Sequence, residues 1–140
     1  MPTSSRFAVA LHVLTALAHM GEKGATSAAL ARSVNTNPVV VRRLLGALAR
    51  AGLVTGQGGR AGGYRLAIQP AKVRLDAVLS AVEPAGLLAL HENPANRACA
   101  VSCGIKSVLG DVFTQAEDAL RGNLRRTTLA DVVRQIESTR

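Results

Sequence analysis

The stretch NTNPVVVRRLLGALARAG, residues 35–52, decides how this 140-residue chain folds. Asn37 followed by Pro38 marks a helix start. An asparagine side chain accepts from the free amides of the first turn, and a proline at the first helical position has no amide to leave unpaired. From Pro38 to about Ala51, Val41, Leu44, Leu45 and Leu48 recur three and four apart and draw one apolar stripe. Gly52 then stands where a helix closes in the left-handed conformation. Just upstream, Thr26 or Ser27 can cap a short Ala-rich helix through Ser33, so two helices follow one another across a turn of a few residues. Farther upstream a first helix is expected from about Ser4 to Met20, with Phe7, Ala10, Leu11, Leu14, Leu17 and Ala18 on one side and Gly21 at its end.

Downstream, two β-prone runs, LVT at 53–55 and YRLAI at 64–68, flank the loop GQGGRAGG at 56–63. Short strands around a glycine-rich tip form a hairpin. Helix, turn, helix, hairpin is the order of a winged helix-turn-helix, so the predicted class is mainly α with one small β-hairpin. A fourth helix is predicted over residues 73–83, ended by Pro84, and PAGLLALHENPANRA at 84–98 is a partly ordered connector. From about Ser102 to Gly122 the pattern sharpens into a long helix. Ile105, Val108, Leu109, Val112, Phe113, Ala116, Ala119 and Leu120 share a seam, while Lys106, Asp111, Gln115, Glu117, Asp118 and Arg121 are expected mostly to face away. That seam has two readings, burial against its own chain or pairing with its copy in a second subunit. A last helix starts at Thr127 or Thr128, with Asp131 as a capping-box-like partner and Leu129, Val132, Val133 and Ile136 on its apolar side.

Composition narrows the function. Apolar residues make up 48% and charged residues 19% of the chain, enough for a buried core. Three aromatics, Phe7, Tyr64 and Phe113, are too few for a stacking platform that reads unpaired bases. The net charge is +8, and it is lopsided: residues 1–74 carry +9 and residues 75–140 carry −1. A half of one sign fits a surface for phosphates better than a solvated face of mixed charge. The run at 6–18 has the look of a short signal peptide, but His12 and Thr15 interrupt it, and its helical spacing favours an amphipathic first helix. No span long enough for a membrane is present, and the expected location is the cytoplasm.

Five motifs then follow in a familiar order: RFAVALH at 6–12, the segment 39–53, GGYRL at 62–66, LDAVL at 75–79 with AVE at 81–83, and TLAD at 128–131. Together they resemble the Rrf2 family of bacterial winged-helix transcriptional regulators, of which IscR, NsrR and CymR are typical, over about residues 4–137. The resemblance implies a homodimer joined by a long C-terminal helix, palindromic operators in double-stranded DNA, and repression relieved by a signal. It divides the chain into a DNA-binding region at 1–70, a fourth helix and connector at 71–98, and a dimerisation helix with a terminal helix at 99–140.

In such a fold the start of the third helix enters the major groove. Its outer positions are Asn37, Val39, Val40, Arg42 and Arg43. Arginine can hold guanine O6 and N7 together, so Arg42 and Arg43 are the candidate base readers, with phosphate contact as the alternative. Family members often carry Glu and Gln at these two places, which points to a different operator. In the wing, the family's arginine before the glycine run is replaced by Gly58, and the cation is Arg60, suited to a narrow minor groove. Arg65 on the strand can meet a phosphate, as can the helix start at Thr26 and Ser27, where an ordinary cap is the alternative.

Several family members hold an iron–sulfur cluster through three connector cysteines. This chain has two cysteines, Cys99 and Cys103, and would need His91, Glu92 or a second subunit to complete a ligand set. No cluster and no metal is therefore expected. Four residues apart, the two sulfurs share a helix face, either as small buried groups or as a redox switch, since a helix N-terminus favours the thiolate. As an enzyme the chain offers little. GQGGRA at 56–61 loosely matches a dinucleotide fingerprint but leads into a strand rather than a helix, and no P-loop or nucleophile elbow occurs. The expectation is a sequence-specific DNA-binding regulator; the rival readings are a protein-interaction module and an architectural DNA binder without sequence preference.

Overall fold

The computed structural model describes residues 4–57 and 63–139. Six helices and one hairpin follow in the order α1 (Arg6–Met20), α2 (Ser27–Val34), α3 (Pro38–Arg50), β1 (Val54–Gly56), β2 (Tyr64–Leu66), α4 (Leu75–Val82), α5 (Ala100–Leu124) and α6 (Leu129–Glu137). Single 3₁₀ turns at Gly21–Lys23 and Pro70–Lys72 precede α2 and α4.

The core forms where the apolar stripes converge. Val41, Leu44, Leu45 and Leu48 of α3 are all buried, as their spacing predicts, and meet Ala10, Val13, Leu14 and Leu17 of α1. Leu30 and Ala31 of α2 close one side, and Leu53 and Val54 bring in the hairpin. Val73, Val78, Val82 and Leu129 belong to the same cluster, so α4 and α6 share a core with the first three helices. Residues 6–18 are thus a working part of this core. No helix among the described residues is long and apolar enough to cross a membrane.

The turns obey the sequence. Asn35 adopts left-handed φ of +66°, and Thr36 N donates to Ala31 O at 2.9 Å, closing α2 two residues before the Asn37 cap of α3. Gly52, with φ of +77°, closes α3, and Leu53 N donates back to Leu48 O at 3.0 Å. The hairpin is antiparallel, with Val54 opposite Leu66, Thr55 opposite Arg65 and Gly56 opposite Tyr64. A third segment joins it: Tyr64 N donates to Ala25 O at 2.7 Å and Ala25 N to Tyr64 O at 3.0 Å. These bonds clamp β2 to the segment that leads into α2, which ties the described part of the hairpin to the helix pair.

Several boundaries differ from expectation. The first helix starts at Arg6 rather than Ser4, with Ser5 as its cap position. The β ladder, Val54–Gly56 with Tyr64–Leu66, is shorter than the β-prone runs, and one further bond in the same register, from Ala67 N to Leu53 O at 2.9 Å, ends the pairing. Val73 lies before α4 and is buried there, its carbonyl accepting from Leu129 N at 2.8 Å. The larger correction concerns α5, which spans 25 residues, has no buried side chain, and turns Lys106, Glu117 and Arg121 toward its own chain. Glu117 accepts from Leu87 N at 2.7 Å and Leu88 N at 2.8 Å, Lys106 Nζ donates to Asn93 O, and Arg121 donates to Ser80 Oγ. Its inner side meets an irregular connector whose peptide groups need partners, so polar residues belong there. Val101 (68% exposed), Val108, Val112 (51%) and Leu120 point away from the chain instead.

Candidate nucleic-acid interface

The α2–turn–α3 unit builds this surface. Asn37 Oδ1 accepts from Val39 N at 2.8 Å, which fixes the first turn of α3 and holds the capping side chain at its N-terminus. Successive residues advance about 100° around the helix, so a stripe of Val41, Leu44, Leu45 and Leu48 in the core puts Val39, Arg43, Gly46 and Arg50 on the opposite side. Arg42 and Val40 flank them. Val39 and Val40 are 43% and 41% exposed, and Arg42 and Arg43 are exposed with no ion pair or hydrogen bond to another described residue. Apolar side chains left in water beside two uncommitted guanidinium groups form a surface that gains by meeting a base edge and a phosphate.

Thr26 and Ser27 stand at the start of α2. Thr26 is the N-cap, its Oγ1 accepting from Ala29 N at 3.1 Å, and Ser27 is the first helical residue, half-buried. The ordinary cap is therefore formed, and the remaining amides of the turn are what a phosphate would meet. Arg65 lies on β2, half-buried, its guanidinium 3.4 Å from the Glu22 carbonyl oxygen across Gly24. Arg60 lies outside the described residues. The structure thus gathers Asn37, Val39, Val40, Arg42 and Arg43 on one helix, with Thr26 and Ser27 on the preceding one and Arg65 on the clamped strand.

Sequence reasoning missed Arg50. Seven residues after Arg43, it shares that side of α3 and reaches back so that its guanidinium passes 3.5 Å from where a Cβ on Gly46 would stand. The spacing of seven, two helical turns, is the signal that could have found it. Other arginines of the basic half have internal duties. Arg6 donates to Glu83 through Nε at 3.1 Å and a terminal nitrogen at 2.6 Å, and Ser4 Oγ donates to the same carboxylate at 2.7 Å. These bonds hold the Glu83 carboxyl below the usual carboxylate range and the Arg6 guanidinium above its own. Arg74 donates to the Arg125 carbonyl at 2.9 Å.

Cys99 and Cys103 lie on a different element from α3: Cys99 is the N-cap position of α5, half-buried, and Cys103 is exposed one turn on. Cys103 Sγ lies 3.7 Å from Asn96 O and 3.8 Å from Arg97 O. Among the described residues no group of three or more His, Cys, Asp or Glu side chains is gathered as a metal site would require.

Comparison with known proteins fits this geometry. A family model described as "Rrf2: Iron-dependent Transcriptional regulator" matches residues 3–135. The chain is 40% identical over 134 residues to YwnA of Bacillus subtilis (strain 168), provisionally named an HTH-type transcriptional regulator, covering 95% of this chain and 98% of that one. A crystal structure of a protein provisionally described as DNA-binding is 35% identical, with a TM-score of 0.73 over 91% of this chain and 98% of that one. A transcriptional regulator structure from Lactobacillus plantarum is 27% identical, with a TM-score of 0.80 over 95% and 90% of the two chains. For the iron dependence in the family description, Cys99 and Cys103 are the two thiols available, and among the described residues no third His, Cys, Asp or Glu is gathered with them. Not an enzyme but a winged-helix transcriptional regulator, the chain belongs to the Rrf2 family.

Proposed function

We propose that the chain is a homodimeric repressor that reads a palindromic operator in the cytoplasm by placing the start of α3 in the major groove. One observation carries this reading: the outer side of α3 presents Val39, Val40, Arg42 and Arg43 to solvent, with both arginines free of partners among the described residues. Arg42 and Arg43 serve as base readers, Asn37 and the amides at Thr26 and Ser27 as phosphate anchors, and Arg65 and Arg60 as the wing's cations. Residues 1–70 contact DNA, 71–98 connect, and 99–140 assemble the dimer. The support for two-fold pairing is the run Val101, Ile105, Val108 and Val112, whose four, three, four spacing is that of a helix seam, with Ala119 one heptad farther on, and whose valines are exposed.

The signal acts at the base of that helix. Cys99 caps its N-terminus and Cys103 lies one turn on, so oxidation there alters how α5 leaves the connector and with it the half-site spacing. Mass spectrometry after mild peroxide, with promoter binding by Cys99→Ser and Cys103→Ser, tests it: release by peroxide that persists in both variants removes the switch.

The central experiment titrates a fragment of the chain's own upstream region against random DNA at two salt concentrations. Specific binding that falls by about 10³-fold or more between 50 and 200 mM salt is expected for six or more phosphate contacts. Equal affinity for both DNAs would establish an architectural binder, and salt-insensitive binding to neither DNA but to protein an interaction module.

A further inference from the structure

On another side of the molecule, α1, α2 and α6 enclose a groove of about 520 Å³. Its walls are mainly apolar, with Leu11 and Ala16 from α1, Ala29 and Leu30 from α2, and Val132 and Ile136 from α6. That volume falls in the range of about 300–1,000 Å³ typical of small-molecule sites, which combine apolar walls with a few convergent polar groups. Those groups are present. His12 Nε2 and Ser33 Oγ share a hydrogen bond of 2.9 Å across the α1–α2 crevice. Thr15 Oγ1 donates to Leu11 O at 2.6 Å and retains its capacity to accept.

Charge then selects the occupant. In a chain of net charge +8, no described lysine or arginine lines this groove; its ionisable side chains are His12, already bonded to Ser33, His19, and one carboxylate, Glu137 at the end of α6. A phosphate- or carboxylate-bearing molecule would meet that acid with no lysine or arginine to offset it, so the groove favours a cation over DNA or an anionic metabolite. No residue of α5 lines the groove, so the exposed valine seam is a separate surface.

We propose that this groove binds a small lipophilic cation, its apolar body between α1, α2 and α6 and its positive charge beside Glu137. The helix that forms one wall, α2, leads directly into α3 through the turn at 35–37, so occupancy biases the DNA-facing helix. This effector role rests on the DNA-binding reading above; binding of the ligand does not.

The probe is rhodamine 6G, a lipophilic cation, followed by fluorescence anisotropy on the purified full chain without DNA, beside the neutral dye N-phenyl-1-naphthylamine and the anionic dye anilinonaphthalene sulfonate. The expected result is saturable one-to-one binding of rhodamine 6G that weakens more than about tenfold in Ala29→Phe, which fills the groove. Glu137→Gln, an exposed change that leaves the core untouched, weakens rhodamine 6G about threefold and leaves the neutral dye unchanged. This second variant keeps the test decisive should Ala29→Phe fail to fold. Absence of saturable binding, equal rhodamine 6G affinity in folded variants and wild type, or tighter binding of the anionic dye overturns the proposal. So does an Ile136→Glu variant that converts a native dimer to monomer, which would make the groove a contact between copies. Dye binding as expected in a protein that binds no promoter DNA would sink the regulatory reading of α3 and leave the groove's ligand class standing.

Discussion

Replacing Gly24 by alanine tests how the wing is seated. Gly24 has φ of +66° and ψ of −168°, backbone space that is open to glycine and costs an L-residue about 1–3 kcal/mol. An alanine Cβ there would also stand 2.5 Å from the Tyr64 carbonyl oxygen and 2.6 Å from Arg65 Cγ. The arginine can swing aside. The carbonyl cannot, because Tyr64 is held to Ala25 by two backbone bonds, of 2.7 and 3.0 Å. A retreating strand stretches both, at about 0.5–1.5 kcal/mol each. The expected loss is therefore about 2–6 kcal/mol, a fall in Tm of roughly 6–18 °C for a chain of this size. Gly46→Ala is the control with the opposite sign. Gly46 lies inside α3, its added Cβ would meet nothing closer than Arg50 at 3.5 Å, and alanine in a helix interior gains about 1 kcal/mol. Urea melts followed by far-UV circular dichroism give both numbers, and hydrogen exchange at Ala25 and Tyr64 reports the clamp directly. Gly24→Ala within about 1 kcal/mol of wild type, with those amides still protected, would refute the reasoning.

Four further outcomes are expected. Glu83→Gln should cost about 1–3 kcal/mol at neutral pH, because the carboxylate takes three hydrogen bonds, two of them from Arg6. Since the folded Glu83 pKa is depressed, that stabilisation is present above its unfolded value of about 4.3 and disappears as pH falls through the folded value; urea melts of the two proteins should converge in acid, and a constant gap would contradict the pairing. Arg43→Ala should weaken promoter binding by about 1–3 kcal/mol and relax base preference at one operator position, whereas a uniform loss across sequences with a shallower salt slope would reassign it to phosphate. Val112→Asp should leave the far-UV spectrum intact and halve the native mass, and a persistent dimer would remove α5 as the seam. Thr128→Ala should cost about 1 kcal/mol, since Thr128 Oγ1 accepts from Asp131 N while Asp131 accepts from Thr128 N; an unchanged melt would mean that the capping box adds nothing.

What could be read in advance follows the range of the forces. The α3 cap, its buried stripe and the Gly52 stop depend on neighbours within a few residues, and all appear in the structure as spacing predicts. The capping box at Thr128 and Asp131 is equally local. The Ala25–Tyr64 clamp joins residues 39 apart with no side-chain signature, so nothing in the string announces it. Along α5 the periodicity correctly gave a helix, yet of the polar residues assigned outward Lys106, Glu117 and Arg121 turned inward, while Asp111, Gln115 and Asp118 stay exposed. Hydrophobic spacing presumes an apolar neighbour, and the neighbour here is irregular backbone at 87–93. Local pattern told which side chains share a face, not which face the fold would cover.

The same limit governs the basic half of the chain, where net charge alone overstated the surface offered to DNA. Of its arginines, Arg6 is tied to Glu83, Arg74 to a carbonyl beyond α5, and Arg65 leans on Glu22 across the wing's hinge. Those three hold helix to helix or strand to turn. Arg42 and Arg43 have no such duty among the described residues, and they sit on a helix anchored in the core by Val41, Leu44, Leu45 and Leu48. A cation tied to a fixed carboxylate or carbonyl must give up that partner before it can hold a phosphate, whereas a cation held only by water gains from released counterions. The division of labour among these arginines, more than their number, makes α3 the surface on which duplex recognition would be decided.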